Sequence, residues 1–502
     1  MACMGIDIGT SGCKAVVFNE DGKELSHSYR EYSINISADG RAELDSSKVI
    51  ESCFDVIREA SGKSPEKVHA IGISSQGEAF TPVDAKGRIL GNAMVSFDTR
   101  ANEITEKEEW KNLRRKLYDI TGHSSHPMFT LFKLQWLKKN RNDLYGAADK
   151  FLCFEDLLEM KLGVKKPAMG WPLAGRTMLF DVKKHQWDDE ILDLCGLSSD
   201  NLARPLKSGS IAGTISPETA KSLSLTDNVI VVAGGHDQPC GALGAGAVDD
   251  GCAMYATGTV ECICPVVSSL IQSDELYKSN LCSYDYTLKN LYTTVAFSLT
   301  GGNILKWFRD EFGSVEVTEA RKQGLNPYEL ILKNMSQTPS SLMVLPYFTP
   351  SGTPYFDTEA EGAVLGLKLS TTRGEFMRAL LEGVAFEMRL NLDILNKAGI
   401  KINELRAIGG GAKSPAWTQL KADVMNKPVS IVETKEAGCL GVAMLAHSSC
   451  SGEKIESVIG RWVKTSGVIH PNPENAEYYN KRFELYKDLY PSLKKNKVST
   501  QS

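Results

Sequence analysis

Gly9, Thr10, Ser11 and Gly12 separate two apolar runs, Met4 to Ile8 and Ala15 to Phe18. The pattern reads as a hairpin with a Gly-rich tip. Such a tip leaves backbone N–H groups free to converge on one point, and the Thr10 and Ser11 hydroxyls add donors, so it can cradle an anion. Lys14 would add positive charge. Asp7, just before the tip, is awkward beside a bare phosphate and makes sense with Mg²⁺ between them, held directly or through water. The competing reading is an ordinary hairpin whose Asp7 satisfies a turn. No GxxxxGK[ST] follows a strand here, so this is not a P-loop. A second stretch, Val229 to Ala233, is a fully apolar strand that delivers Gly234, Gly235, His236, Asp237 and Gln238. Ligands of α/β folds gather at the C-terminal ends of strands, which places Asp237 to act as a base and Gln238 to bind hydroxyls. His236 could titrate, although the neighbour of a working residue is more often structural. A third stretch runs Ile408-Gly409-Gly410-Gly411-Ala412-Lys413-Ser414-Pro415. Its glycines let a flat ring or a phosphate approach the backbone, ahead of a helix opened by Ser414 and Pro415.

Strands must carry these turns, and helices must pack them. Strand-like runs alternate with helical periodicity, the pattern of an α/β fold. Val68 to Ser74 is a further buried strand; Leu342 to Tyr347 and Ala407-Ile408 are weaker ones. Met377, Leu381, Val384, Met388, Leu392 and Leu395 form one apolar stripe of a helix over Gly374 to Ala398, with a capping box at Thr372 and Glu375 and a terminal Gly399. A helix near Leu440 to Ser448 is rich in Gly and Ala and suits close packing. Gly5 to Thr10 is echoed by Ala253 to Thr259, each an apolar strand entering a Gly-Thr turn. The echo implies a duplicated architecture with a cleft between halves. The expected division is 1–246, 247–490 and a frayed tail at 491–502.

The 502 residues hold 57 basic and 62 acidic side chains, a formal charge of −5. That balance gives no bulk electrostatic case for nucleic acid or anionic membrane. No stretch has the ~18 uninterrupted apolar residues of a membrane span, and the start has no basic region ahead of its apolar residues, so no secretory signal is expected. The 12 cysteines include no CxxC pair. They read as buried thiols in a reducing, cytoplasmic compartment.

Taken together, these motifs resemble the FGGY carbohydrate kinase family, whose members include glycerol kinase and xylulokinase. The resemblance runs from Met4 to about Ala446. Gly5-Ile6-Asp7-Ile8-Gly9-Thr10-Ser11 is similar to the family's first phosphate motif, and Gly234-Gly235-His236-Asp237 to its second, with Asp237 at the catalytic-base position. Asp98-Thr99-Arg100 is similar to its Asp-x-Arg. Gly258-Thr259, Gly301-Gly302 and Gly409-Gly410-Gly411-Ala412 match the nucleotide-side loops, and Gln419, Asp423 and Gly438 to Ala446 the C-terminal signature. The resemblance implies a duplicated actin-like, ribonuclease-H-like ATPase fold. It implies ATP and Mg²⁺ as cofactors and a small sugar or polyol as substrate, with a homodimer left open. In that reading Asp237 takes a hydroxyl proton. Gly9, Thr10, Ser11, Lys14, Gly258, Thr259 and Gly302 hold phosphates; Gly409, Gly410 and Ala412 line the adenosine side. Asp7 and Asp237 face the metal, and Gln76, Glu78, Asp98, Arg100 and Gln238 bind the substrate.

The chain also departs from the family. Ser96 replaces an aromatic, Gly352-Thr353-Pro354 lacks the usual Glu-Arg pair, and Glu261 puts an extra carboxylate near the expected phosphates. Glu78 and Gln238 are glycerol-kinase-like, whereas Gly77 stands where that enzyme has Arg, which implies a more open pocket. Ketopentoses, ketohexoses, alditols and aldonates all remain open as substrates. An actin-fold chaperone or filament ATPase, or a sugar sensor without turnover, would share the phosphate loops.

Overall fold

The computed structural model describes residues 1–38 and 40–495. Two six-stranded sheets dominate it. The first contains β1 (Ala2–Ile8), β2 (Gly12–Phe18), β3 (Glu24–Glu31), β4 (Val68–Ser75), β5 (Ile211–Thr214) and β6 (Ile230–His236), in the spatial order β5-β6-β4-β1-β2-β3. The second contains β7 (Cys252–Thr257), β8 (Glu261–Pro265), β9 (Ala296–Ser298), β10 (Glu404–Ile408), β11 (Val429–Val432) and β12 (Thr465–Ile469), in the order β9-β8-β7-β10-β11-β12. The sense of every pairing repeats as well. β1 is antiparallel to β2 and parallel to β4, as β7 is antiparallel to β8 and parallel to β10. The remaining pairs match in the same way. The echo of two Gly-Thr hairpins is thus the visible part of a duplicated sheet.

The helices used below are α1 (Phe154–Lys161), α2 (Trp171–Gly175), α3 (Asp237–Gly244), α4 (Arg373–Lys397), α5 (Pro415–Met425) and α6 (Ala437–Ser451). Each duplicated unit sends a helix out of the corresponding strand: α3 leaves β6 and α6 follows β11. These two helices pack on each other, and α6 also lies along β1 and β4 of the first sheet. Glycines set that approach. A Cβ on Gly5 would sit 1.8 Å from the Cys439 carbonyl oxygen, and one on Gly441 2.0 Å from that of Cys240. The Gly- and Ala-rich composition of α6 therefore serves the seam between the halves.

α4 buries its predicted stripe, and Thr372 caps it by accepting the Glu375 amide at 3.1 Å. The reciprocal half of the expected capping box is absent, because the Glu375 carboxylate instead takes the Ser341 amide and hydroxyl. The expected frayed tail is corrected in part. Residues 491–495 belong to the helix Leu489–Lys495, and Lys494 lies 2.7 Å from Asp357; 496–502 fall outside the described residues. Among the described residues no helix is long and apolar enough to cross a membrane, and every cysteine is a free thiol.

Candidate active site

The β1–β2 turn is tied down from behind. The Gly9 amide closes the hairpin on the Gly12 carbonyl at 2.9 Å, and the Gly9 carbonyl accepts the Tyr32 hydroxyl at 2.6 Å. Gln76, at the end of β4, donates from its own amide to the Ile8 carbonyl and from its side chain to the Gly9 carbonyl at 3.1 Å. It accepts the Thr10 hydroxyl at 3.2 Å. Gln76, expected on the sugar, holds the Gly9-Thr10 turn in place. Ser11 is exposed at the tip.

Asp7 projects from β1 toward α6. Register places it beside Ser74 of β4, whose hydroxyl it accepts at 2.9 Å. A Cβ on Gly438 would come within 3.1 Å of its other oxygen, so the glycine keeps space open beside the carboxylate. Burial raises the Asp7 pKa, opposed by Ser74 and Lys14. Lys14 itself pairs with Glu436 at 2.6 Å, across the seam between the halves. Its ammonium, expected on phosphate, is engaged there.

Asp237 opens α3, at the end of β6. Its side chain keeps 27% of its surface exposed. Burial, then the charges of Asp7 and Glu78, push its carboxyl up to about 7, against the pull of Gln238 and Arg176. One carboxylate oxygen lies 3.3 Å from His236 Nε2, and His236 Nδ1 lies 2.9 Å from the Tyr284 hydroxyl. Burial, with the nearby Arg176 charge, holds His236 far below its usual pKa, so the ring is neutral. Both contacts are satisfied if Tyr284 donates to Nδ1 and Nε2–H points at Asp237. Gln238 follows, with its buried Oε1 unpartnered.

Glu78 completes this side, and its setting was not legible in the sequence. It is buried and adopts φ +64°, a left-handed backbone that costs a non-glycine residue about 1–2 kcal/mol. One oxygen accepts from the Arg176 guanidinium and the other from the Ser96 hydroxyl at 2.8 Å. Ser96, in place of an aromatic, leaves room for that bond. Arg176 is stacked between the rings of Phe129 and Tyr284, at 5.0 and 5.8 Å. A Cβ on Gly77 would meet His236 at 3.1 Å and Arg176 Nε at 3.4 Å. The more open pocket expected at Gly77 is corrected: a guanidinium from a distant segment fills that space.

Asp98 and Arg100 do not join these residues. Asp98 is buried, accepts the Ala42 amide at 2.8 Å and grips Arg100. Arg100 also pairs with Glu43 at 2.7 Å and lies over the Trp136 ring. Together they clasp the segments that carry Ala42, Glu43 and Trp136.

In the second half, Gly258 and Thr259 form the turn between β7 and β8. The Gly302 amide donates to the Gly258 carbonyl at 2.8 Å, and the Asn303 amide to that of Thr259 at 3.2 Å. This turn thus caps the helix Gly302–Phe312, and the Gly302 N–H is occupied. Gly409 has φ +90°, and Gly410 faces open space. Ala412, expected along the adenosine, is buried next to this turn. Glu261 does not face the phosphates either. It is fully buried, 2.6 Å from Lys421, and accepts the Tyr255 hydroxyl. Gln419 bonds to Asp423 at 2.7 Å, and Asp423 accepts the Asn472 amide, so both anchor the start of the C-terminal helix Pro473–Lys487.

Known proteins share this architecture. A xylulose kinase of Bacillus subtilis (strain 168) is 27% identical over 500 residues, covering 98% of this chain and 97% of its own. A gluconokinase of Bacillus licheniformis is 26% identical over 98% and 96% of the two chains. Among solved structures, a xylulose kinase from Brucella ovis superposes with a TM-score of 0.87 at 27% identity, covering 98% and 99%. Gluconate kinase from Lactobacillus acidophilus superposes at 0.90 and 24% identity, covering 98% of both chains, a likeness of fold. The duplicated sheets are those of the two-domain actin-like, ribonuclease-H-like ATPases. The family models for the N-terminal and C-terminal domains match residues 2–244 and 256–450, and the chain belongs to the FGGY family of carbohydrate kinases, enzymes that phosphorylate sugars with ATP.

Proposed function

We propose that this kinase transfers the γ-phosphoryl group of ATP to a hydroxyl of a neutral ketose or polyol, with Asp237 as general base. The charge of the sugar side carries the choice of substrate. Asp7, Glu78 and Asp237 are acidic, Arg176 is spent on Glu78, and His236 is neutral. An aldonate carboxylate would enter next to the Asp7 and Asp237 carboxylates while the Arg176 guanidinium is held by Glu78, which is costly in a buried site. Hydroxyls instead find the Gln238 Oε1 acceptor and the buried, unpartnered Arg176 Nε–H donor. The chain is similar over nearly its whole length to xylulose kinases and to gluconokinases alike, so the choice rests on the charge of the site. The twelve free thiols fit a reducing cytoplasm.

Asp237 accepts the hydroxyl proton as the oxygen attacks in line, and the phosphate turns of both halves orient the nucleotide. Mg²⁺ suits the site, since Asp7 and Asp237 offer hard oxygen donors and Gly438 keeps space beside Asp7. When bound, it neutralises charge on the phosphate oxygens. His236, held by Tyr284, orients the Asp237 carboxylate.

ADP release over a panel of ketopentoses, ketohexoses, alditols and aldonates tests the substrate class. Release stimulated by a neutral sugar is expected; stimulation by aldonates alone would overturn it, and sugar-independent release would favour an actin-fold ATPase. A base whose carboxyl sits near 7 must also lose activity in acid. kcat/KM for the sugar should fall about tenfold per pH unit below that pKa. Glu78→Gln removes one of the charges that raise it and should move the acid limb to lower pH. A profile flat from pH 5 to 8 would remove Asp237 as the titrating base.

A further inference from the structure

Glu155 has no role in the chemistry above, yet it touches both arms of the sugar side. It lies on α1, fully buried. One carboxylate oxygen accepts the Gly234 amide at 2.8 Å and the other the Gly170 amide at 3.1 Å. Gly234 stands three residues before Asp237. Gly170 leads into α2, and Arg176 follows directly. We propose that Glu155 is a positioning residue that clamps the strand end carrying Asp237 and Gln238 to the helix carrying Arg176.

The backbone explains why a clamp is needed. In the pairing of β6 with β4, Ala233 faces Ile73 and Gly235 faces Ser74, so Gly234 is the extra residue of a bulge. A bulged residue drops out of the ladder. Its buried N–H would be left without a partner, and the Glu155 carboxylate supplies one. Gly235 follows at φ +140°, a backbone conformation that favours glycine. The other arm is in direct contact. A Cβ on Gly170 would sit 2.5 Å from the Gly234 carbonyl oxygen, and one on Gly235 would sit 3.2 Å from the Pro172 ring. No side chain fits between the two segments, so one carboxylate spanning both amides sets their relative position.

The same helix face reinforces the hold. Glu159, one turn on, accepts the Ala168 amide at 2.6 Å, so α1 covers alternate amides of the short strand Ala168–Gly170. That strand pairs with Arg204–Leu206 on its other edge. Burial pushes the Glu155 carboxyl up to about 8, with only the two amides pulling it down.

The inference rests on the kinase reading, so its test has one readout that needs no turnover. Hydrogen exchange of the apo protein should quicken together in peptides covering 168–176 and 230–238 in Glu155→Leu, with a smaller effect in Glu155→Gln, which keeps one acceptor. In the kinetic arm, Glu155→Leu should lose about 10–100-fold in kcat per folded molecule and raise the sugar KM, as a loosened site does, while the ATP KM stays within twofold. Glu155→Gln should recover part of both and serves alone if the Leu variant does not fold. Exchange unchanged in both segments, or quickened in one alone, would overturn the clamp, as would an equal loss for sugar and ATP. A parent enzyme inactive on every sugar would instead count against the kinase reading, and the exchange data would still decide on Glu155.

Discussion

Asn in place of Asp237 should lower turnover by about 10²–10⁴ in a protein more stable than its parent above neutral pH. The two effects have one origin. A sugar hydroxyl is a poor nucleophile until its proton has an acceptor, and Asn keeps the size of Asp without the charge. Sugar and ATP binding should persist while kcat collapses. The stability effect follows from linkage. The carboxyl is raised from 3.8 to about 7 by burial. A raised acid favours the folded state while protonated, so its contribution is fully present below pH 3.8 and is lost as pH rises through 7. The ionised parent at pH 8 thus carries a penalty on the order of 2–4 kcal/mol, taking the partial exposure of the side chain into account. The Asn variant is spared it. Tm should decline between pH 5 and 8 in the parent more steeply than in the variant. If Asp237 only capped a turn, the variant would lose Tm and keep its kcat, so both belong on one sample.

The second large effect is expected at Glu78. Glu78→Ala should raise the sugar KM about 10–150-fold, the loss of a charged hydrogen bond worth about 1.5–3 kcal/mol, with little change for ATP. It should also destabilise the fold by about 3–5 kcal/mol, because Arg176 is left as a buried charge without its partner. The double variant Glu78→Ala/Arg176→Met removes that orphan. It should recover most of the stability and none of the sugar affinity. Recovery of affinity as well would remove both Glu78 and the Arg176 Nε–H from the sugar contacts, and equal KM changes for sugar and ATP would place Glu78 outside the sugar pocket.

The residues that a reader of the sequence finds most easily are those that end strands. Asp7 and Asp237 each follow an apolar run, and strand-end geometry alone puts them at the cleft. The duplication was visible in the same way, since in each half an apolar strand runs into a Gly-Thr turn. Arg176 carries no such mark. It follows a short helix with no motif around it, and reaches Glu78 only through the packing of segments 98 residues apart. Motif position also left partners unseen. Asp98 and Arg100 sit where the family's Asp-x-Arg does, but their charges close on each other, on Ala42 and on Glu43. Glu261 read as a phosphate neighbour because it follows the turn. Strand pairing turns its side chain inward, to a lysine 160 residues away that no local pattern announces. What the sequence could not show was which polar groups already had partners.

Phosphorus NMR of the product, with the parent and Asp237→Asn run side by side on ATP and the accepted neutral sugar, tests phosphoryl transfer through Asp237 most directly. The prediction is one sugar phosphate formed for each ADP by the parent, little inorganic phosphate, and a rate in the folded variant lower by the factor given above. Inorganic phosphate as the main product, or sugar phosphate made by Asp237→Asn at the parental rate, would contradict it.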